Sequence, residues 1–351
     1  MNFASDNTAG VPPEMIQALI DANRGFVLGY GNDDWTRRLD DRMSALFGRE
    51  VATFLVPTGT AANAIALAHV TPPWGGVICH QSAHIMTDEC GAPEFFGGGI
   101  KLLGFPGDDG KLSLATLKQA ISQYSARRPH QVNAAALSLT QASESGTIYR
   151  PAEIAALCET AHAAGLKVHM DGARFGNALS RLNASAADLT WKAGIDVLSF
   201  GATKGGAMAA EAIVFFDPKL AEWMPERRKR GGQLLSKHRF IAAQFEAYLE
   251  QDRWLAWARH ANQMADRLAR RLTDAGIEVV WPVEANLVFA IFPKEIDARM
   301  KAAGAAYYAR RPSMLPPGVK LPAEAVLARM VTSFATTPEE VERFGDLIQK
   351  R

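Results

Sequence analysis

Two short apolar segments, each ending in glycine and a charged residue, constrain the fold of this chain most. The first reads VHMDGAR over residues 168–174, and the second reads VLSFGATKGG over residues 197–206. Apolar runs that stop in glycine and small residues are typical of buried strands. In open α/β sheets, ligands bind just past the carboxyl ends of such strands. The two segments therefore predict one sheet edge that carries both Asp171 and Lys204.

β-like and helix-like segments alternate along the first 240 residues. Strands are predicted at residues 53–56, 77–80, 134–139, 167–170, 197–200 and 212–216. Helices are predicted between them at residues 61–69, 114–124 and 152–163. This alternation predicts an α/β fold, with a mostly parallel mixed sheet and helices on both of its faces.

The pattern changes near residue 240, where the alternation stops. A long helical stretch over residues 239–275, broken near residue 251, precedes short strands at residues 277–281, 287–291 and 329–333 and a last helix from residue 338. We expect a large cofactor-binding domain over residues 26–240 and a smaller C-terminal α+β domain over residues 241–351. Residues 1–25 are expected to pack with the small domain.

Charge and cysteine content limit the classes of partner. With 38 basic and 37 acidic residues the net charge is +1, which favours neither nucleic acid nor a membrane surface. No apolar segment is long enough to span a bilayer, and the N-terminus lacks the pattern of a signal peptide. Cys79, Cys90 and Cys158 do not have metal-ligand spacing. We therefore predict no metal site, and free thiols in a reducing, cytoplasmic location.

An acid and a lysine at one sheet edge suit pyridoxal 5'-phosphate (PLP). The Asp171 carboxylate can keep a pyridine nitrogen protonated, and the Lys204 amine can form a Schiff base with the aldehyde. The glycine-rich motifs of dinucleotide- and ATP-binding proteins are absent, which weakens a nucleotide-binding interpretation.

A phosphate site is predicted where the strand at residues 53–56 meets the helix at residues 61–69. A strand–turn–helix of this kind directs free backbone N–H groups and the positive end of the helix dipole towards an anion. Gly59 allows close approach, and Thr58 and Thr60 add hydroxyl donors. An ordinary N-capped helix would explain the same residues.

Two further side chains are placed near the same edge by the sequence. His84 follows the strand at residues 77–80, where its imidazole could stack on a pyridine ring, although a surface or capping histidine fits as well. Glu89 lies five residues later and could equally be an exposed helical glutamate. His169 shares a strand face with Asp171 and is predicted to be a buried supporting residue.

Seven short segments occur in the order seen in the L-threonine aldolases. They are SDN at residues 5–7, YGND at 30–33, PTGT at 57–60, AH at 83–84, HMDGAR at 169–174, TKG at 203–205 and RMVT at 329–332. The chain resembles the low-specificity L-threonine aldolases nearly end to end, and the HMDGAR and KG pair is the specific part. The resemblance implies a PLP enzyme of the aspartate aminotransferase fold, also called fold type I. It also implies cleavage of L-threonine, L-allo-threonine and related β-hydroxy amino acids, with phenylserine a candidate, to glycine and an aldehyde.

The resemblance also implies roles for matching residues. Lys204 would hold the cofactor covalently, Asp171 would bind its pyridine nitrogen, His84 would stack on its ring, and Gly59 with Thr60 would bind its phosphate. Substrate contacts are implied for Arg174, Ser5, Arg329 and Tyr30. Arg174 would contact the phenolic oxygen of the cofactor or the substrate carboxylate, and Ser5 and Arg329 would complete the carboxylate clamp. Tyr30 would line the site of a neighbouring subunit. A homotetramer built from dimers with shared sites is implied as well.

One departure from the family pattern concerns the substrate hydroxyl. Many of these aldolases carry a histidine in an ENTHNG stretch, whereas this chain has Glu144 in QASESG. The base for the β-hydroxyl proton is therefore open among His84, Glu89, Glu144 and a water that they position. Another PLP-dependent lyase or racemase could use the same lysine and aspartate, and a binding protein that lost activity is a different class of alternative.

Overall fold

The computed structural model describes residues 1–125, 129–312, 315–316 and 318–349. A large sheet contains β1 (Ala52–Val56), β2 (Gly75–His80), β3 (Lys101–Phe105), β4 (Asn133–Thr140), β5 (Lys167–Gly172), β6 (Val197–Gly201) and β7 (Glu211–Phe215). Their spatial order is β1-β7-β6-β5-β4-β2-β3. β7 runs antiparallel to both of its neighbours, and the other pairs from β6 to β3 are parallel. The carboxyl ends of β1, β2, β5 and β6 therefore meet the start of β7 at one edge.

Helices connect and cover these strands. Those before residue 240 are α1 (Pro13–Ala22), α2 (Asp34–Phe47), α3 (Gly59–Val70), α4 (His84–Thr87), α5 (Ala92–Phe96), α6 (Leu114–Ser125), α7 (Pro151–Ala163), α8 (Phe175–Leu182) and α9 (Met224–Arg230). Those after it are α10 (Arg239–Leu249), α11 (Arg253–Asp274), α12 (Lys294–Ala302) and α13 (Pro338–Gln349).

Successive residues of a central strand pack into different cores, as the two-residue period of a strand requires. In β6, Leu198 and Phe200 pack in a cluster with residues of α2, α7 and α10. Val197, between Asp196 and Leu198, packs with residues of α3 and α9 instead. Both faces of the sheet are thus covered by helices, which confirms the predicted α/β architecture.

A second, smaller sheet follows in the chain. It contains β8 (Glu278–Val279), β9 (Leu287–Pro293), β10 (Tyr308–Arg310) and β11 (Ala325–Val331), all antiparallel in the order β10-β11-β9-β8. The strand predicted at residues 277–281 is only two residues long, and the one predicted at 329–333 begins four residues earlier. β11 pairs with β9 along its whole length, and this pairing includes the apolar residues 325–328 that precede the predicted start.

The predicted break in the long helical stretch is confirmed. α10 ends at Leu249, and a turn follows in which Gln251 and Asp252 have φ values of 53° and 55°. These left-handed conformations cannot continue an α-helix, so α11 starts in a new direction.

Packing around the predicted boundaries involves both sheets. Phe245 of α10 lies in the core of the large sheet, whereas Leu268 in the second half of α11 lies in the core of the small sheet. At the N-terminus, Phe3 donates to the Ala306 carbonyl at 2.8 Å and accepts from the Val331 amide at 2.8 Å. The division into domains at residue 240 stays a prediction.

Among the described residues, no helix has the length and apolarity needed to cross a bilayer.

Candidate active site

A cavity of about 490 Å³ opens at the edge where β1, β2, β5 and β6 end. Its volume lies within the range that small-molecule sites occupy. Seven residues singled out in the sequence line it: Thr58, Gly59, Thr60, His84, Glu89, Asp171 and Lys204. The predicted meeting of Asp171 and Lys204 at one sheet edge is therefore confirmed.

The amino end of α3 forms one wall of the cavity. Thr58 caps the helix, because its Oγ1 accepts from the Ala61 amide at 3.1 Å. A Cβ built on Gly59 would meet nothing nearer than Glu211 Oε2 at 4.0 Å, so the backbone here is open to a ligand. The remaining free N–H groups of the first turn and the helix dipole favour an anion at this wall.

Asp171 is buried at the end of β5 and is fixed by two hydrogen bonds. Its Oδ1 accepts from the Ala173 amide at 3.0 Å, and its Oδ2 accepts from Asn63 Nδ2 at 3.0 Å. Two residues back, His169 is fully buried, and its Nδ1 and Nε2 lie 2.9 Å from the hydroxyls of Ser138 and Ser199 respectively. Burial lowers the pKa of His169 to about 4, so it is a neutral side chain beneath the site.

Lys204 lies in the turn that follows β6. This turn, Thr203–Gly205, is packed against α10, since a Cβ on Gly205 would lie 2.3 Å from the hydroxyl oxygen of Tyr248. Only glycine fits at that approach, so the backbone that carries Lys204 is held in place while its side chain lines the cavity.

His84 and Glu89 form a hydrogen-bonded pair that also lines the cavity. His84 Nδ1 lies 2.8 Å from Glu89 Oε1, and the Glu89 side chain is fully buried. The bond to Glu89 raises the pKa of His84, and burial raises the pKa of Glu89. Neither side chain is an isolated surface group, which argues against the ordinary explanations that the sequence allowed for both.

Arg174 does not face the main cavity freely but is bound by Asp6. Arg174 Nε and Nη2 donate to Asp6 Oδ2 and Oδ1 at 2.7 and 3.0 Å, and both side chains are buried. Asn286 Nδ2 donates to the same Oδ2 at 3.0 Å. Burial alone would raise the pKa of Asp6, but Arg174 and Lys204 outweigh it and lower it to about 2. The N-terminal segment is thereby tied to the turn after β5.

Arg329 is a buried cation on β11 without a carboxylate partner among the described residues. It is 7% exposed, its Nη1 reaches the Ala4 carbonyl only at 3.5 Å, and its Nε has no hydrogen bond. Burial, reinforced by nearby Arg174, lowers the pKa of Arg329 to about 10. Burial of a guanidinium without a carboxylate partner is unfavourable, and an anion beside it would offset this cost.

Ser5, Glu144 and Tyr30 lie outside the cavity wall, as do Arg174 and Arg329. The Ser5 hydroxyl caps the short helix Asp6–Thr8 by accepting from the Asn7 amide at 3.1 Å. Glu144 is half-buried and close enough to His84, Arg174 and Arg329 to influence their ionisation. Tyr30 is half exposed, with its ring under Lys229 Nζ at 4.7 Å, and it does not reach the cavity of its own chain.

Several polar residues of the cavity wall, Asp6, Asn63 and Glu211 among them, were not predicted. Asp6 and Asn63 line the cavity, and so does Glu211, whose pKa is raised to about 7 by burial against the opposing effect of Thr203 and Lys204. Glu211 starts the antiparallel strand β7, so the rule about carboxyl ends of parallel strands could not find it. For Asn63 a signal existed, since it lies four residues after Gly59 and so on the same helical face.

Comparisons with known proteins agree with this geometry. The family model of beta-eliminating lyases matches residues 2–295. The low-specificity L-threonine aldolase of Pseudomonas aeruginosa is 45% identical over 307 residues, 87% of this chain and 88% of that protein.

Solved structures show the same fold. The threonine aldolase of Leishmania major superposes with a TM-score of 0.92 at 28% identity, covering 99% of this chain and 98% of its own. A serine palmitoyltransferase from Sphingomonas wittichii shares the fold at a TM-score of 0.72 and 17% identity, over 99% of this chain and 86% of its own. These neighbours confirm the expected fold type I architecture. The chain belongs to the beta-eliminating lyase family, in the group of the low-specificity L-threonine aldolases.

Proposed function

We propose that this chain is a PLP-dependent aldehyde-lyase that cleaves L-threonine, L-allo-threonine and related L-β-hydroxy-α-amino acids to glycine and an aldehyde. The observation that carries the proposal is that Lys204, Asp171 and the amino end of α3 line one cavity. The name of the Pseudomonas aeruginosa relative supports the substrate class.

The residues around the cavity fit PLP by chemical type. The open backbone at Gly59 and the hydroxyls of Thr58 and Thr60 suit a phosphate, and Lys204 supplies an amine for the aldehyde. Asp171, already oriented by Ala173 and Asn63, suits a protonated pyridine nitrogen. When bound, PLP supplies an electron-poor ring that accepts the electron pair left at Cα as the Cα–Cβ bond breaks.

We assign the substrate carboxylate to Arg329 and Arg174. Arg329 lacks an anionic partner among the described residues, and Asp6 holds Arg174 in a fixed orientation next to it. Binding the carboxylate there would fix the orientation of the substrate at Cα, and this orientation would select the Cα–Cβ bond for cleavage. Ser5, next to Asp6 in the chain, would add a hydroxyl to this clamp.

We assign the β-hydroxyl proton to His84. Glu89 is hydrogen-bonded to Nδ1 of His84, which leaves Nε2 as the nitrogen without a bond to a described residue. A histidine held this way by a buried carboxylate is a general base whose tautomer is fixed. Unlike His84, Glu144 makes no hydrogen bond to a described residue that would orient its carboxylate, so we do not assign the proton to it.

We further propose a homotetramer, a dimer of dimers, in which sites are shared at the dimer interface and Tyr30 acts in the neighbouring site. The segment before Tyr30 supports this, because Phe26 is fully exposed and Leu28 is 73% exposed. Exposed apolar groups in one segment mark an interaction surface. Mixing two inactive variants, Tyr30→Ala and Lys204→Ala, should restore part of the activity if Tyr30 acts across subunits, and no recovery would contradict it.

We keep the cytoplasm as the proposed location. Cys79, Cys90 and Cys158 are all free thiols in the structure, as a reducing compartment favours. Subcellular fractionation with an antibody against the full chain is the direct check.

The products formed from L-threonine test the reaction. We expect equal amounts of acetaldehyde and glycine from the purified protein with PLP. Formation of 2-oxobutanoate and ammonia would indicate β-elimination, and accumulation of D-allo-threonine would indicate racemisation at Cα. Either of these as the main reaction would overturn the assignment.

A further inference from the structure

Asn63 links two carboxylates of the cavity through a single amide nitrogen. It lies on α3, one helical turn after Gly59, and its side chain is buried. Its Nδ2 lies 2.8 Å from Glu89 Oε1 and 3.0 Å from Asp171 Oδ2. An amide NH₂ group has two donors, so it can serve each carboxylate with one N–H.

The same Glu89 oxygen also contacts His84, so a continuous hydrogen-bonded chain crosses the site. It runs from His84 through Glu89 and Asn63 to Asp171, with contacts of 2.8, 2.8 and 3.0 Å. The members come from three separate parts of the fold, namely α4 with the turn after it, α3, and the end of β5. The two ends are the groups assigned to the substrate proton and to the pyridine nitrogen.

Electrostatics make the protonation of Glu89, in the middle of this hydrogen-bonded chain, sensitive to Asn63. Two buried carboxylates that face one another favour protonation of one of them, because like charges in a poorly solvated site repel. Burial and Asp171 both raise the pKa of Glu89, whereas the bonds from His84 and Asn63 lower it. Lys204 and Glu144 are the other charged groups that influence His84, and they act in opposite directions.

We propose that Asn63 is a positioning residue that keeps Glu89 and Asp171 ionised together, so that Glu89 holds the Nδ1 proton of His84 and Nε2 stays available to the substrate. Without the amide, Glu89 takes up a proton to relieve its repulsion with Asp171. A neutral Glu89 no longer stabilises a cationic His84. The basicity of His84 therefore falls, although neither His84 nor Glu89 has been substituted. This inference rests on the proposed function for its catalytic meaning, but its physical content does not.

The test is an NMR titration of the histidine ring nitrogens in the full chain, with and without PLP. A His84→Asn variant assigns the signal by its disappearance. In Asn63→Leu we expect the His84 midpoint to fall by about one pH unit or more, which is a tenfold loss in its protonation constant. The matched control is Asn262→Leu, because Asn262 is also a buried asparagine whose amide bridges two groups, Asn177 and Ser180, away from the cavity.

A purely structural role for Asn63 makes a different prediction. In that case Asn63→Leu and Asn262→Leu would both lower the melting temperature and leave the His84 titration unchanged. That result, or an equal shift in both variants, would overturn the proposal. If Asn63→Leu does not fold, Asn63→Ser, with a single donor and less bulk, takes its place with the same two outcomes.

A double-mutant cycle with Glu89→Gln distinguishes an effect of Asn63 that passes through Glu89 from a direct electrostatic effect on His84. Because the effect of Asn63 passes through Glu89, adding Asn63→Leu to Glu89→Gln should shift His84 no further, and additive shifts would contradict the proposal. The titration does not depend on turnover. Absence of acetaldehyde release by the unaltered protein would therefore remove the proposed function while leaving this test interpretable.

Discussion

The proposed cofactor side and the proposed substrate side of the site are built in different ways. The cofactor side consists of two strand ends of the large sheet and the start of α3. Asp171, Lys204 and Gly59 are each placed there by the local backbone. The substrate side joins the N-terminal segment, the turn after β5 and a strand of the small sheet through Asp6, Arg174 and Arg329. The first side depends on local backbone geometry, and the second depends on a buried network of charges between distant segments.

The largest effect is expected on the cofactor side, at the amine. Lys204→Ala should reduce aldehyde release by ~10³-fold or more, because covalent attachment and the proton transfers of the amine are both lost. The absorbance of the bound cofactor should change at the same time. The control is Lys192→Ala, which removes an exposed lysine that pairs with Asp188 on the surface. Aldehyde release should not change in this variant.

Asp171→Asn should have the next largest effect. Loss of the partner of a buried charge costs about 3–5 kcal/mol, which corresponds to roughly two to four decades in rate. Turnover of L-threonine measures this, and the melting temperature shows whether the fold survives. Near-normal kinetics would show that Asp171 supports the fold only. That result would contradict its assignment to the pyridine nitrogen.

On the substrate side, Asp6→Asn should act on stability. The change leaves Arg174 buried with a weaker partner, which should lower the free energy of unfolding by about 3 kcal/mol. Because the folded pKa of Asp6 is about 2 and thus below its unfolded value, its contribution is complete above about pH 4 and is lost as the pH falls towards 2. Denaturant unfolding of both proteins from pH 7 to pH 3 measures the difference, and a difference that grows on acidification would contradict the ion pair.

A smaller effect is expected for Arg329→Leu. The loss of charged hydrogen bonds to the substrate carboxylate, at about 1.5–3 kcal/mol, should raise KM for L-threonine by roughly ten- to a hundredfold. PLP affinity should not change, since Arg329 lies outside the cavity wall that we propose for the cofactor. An unchanged KM would remove the small sheet from substrate binding, and weakened PLP binding would erase the distinction between the two sides.

The difference between the two sides also explains what the sequence could predict. Strand ends such as those at Asp171 and Lys204 are readable because apolar runs, glycines and the parallel topology place them at one edge, and the alternation of elements predicted the large sheet. The family resemblance pointed to Arg174 and Arg329. It did not reveal that Asp6 binds Arg174, because that contact joins the N-terminal segment to the turn after β5, 168 residues away in the chain.

Glu211 and Asn63 show two further limits. Glu211 reaches the cavity from the start of an antiparallel strand, and no local pattern reports the reversal of one strand in a parallel sheet. Asn63 is one polar residue within an alanine-rich helix, and its partners come from β5 and from the turn after α4. Sequence periodicity gives the face of a helix but not the side chains that meet it.

The most direct test of the account is to locate the covalent bond to the cofactor. Borohydride reduction of the purified full chain with PLP, followed by protease digestion and mass spectrometry, identifies the modified lysine. The account predicts one phosphopyridoxyl group per chain on the peptide that contains Lys204, and none on that peptide in Lys204→Ala. A modification centred on another lysine, or none at all, would contradict it.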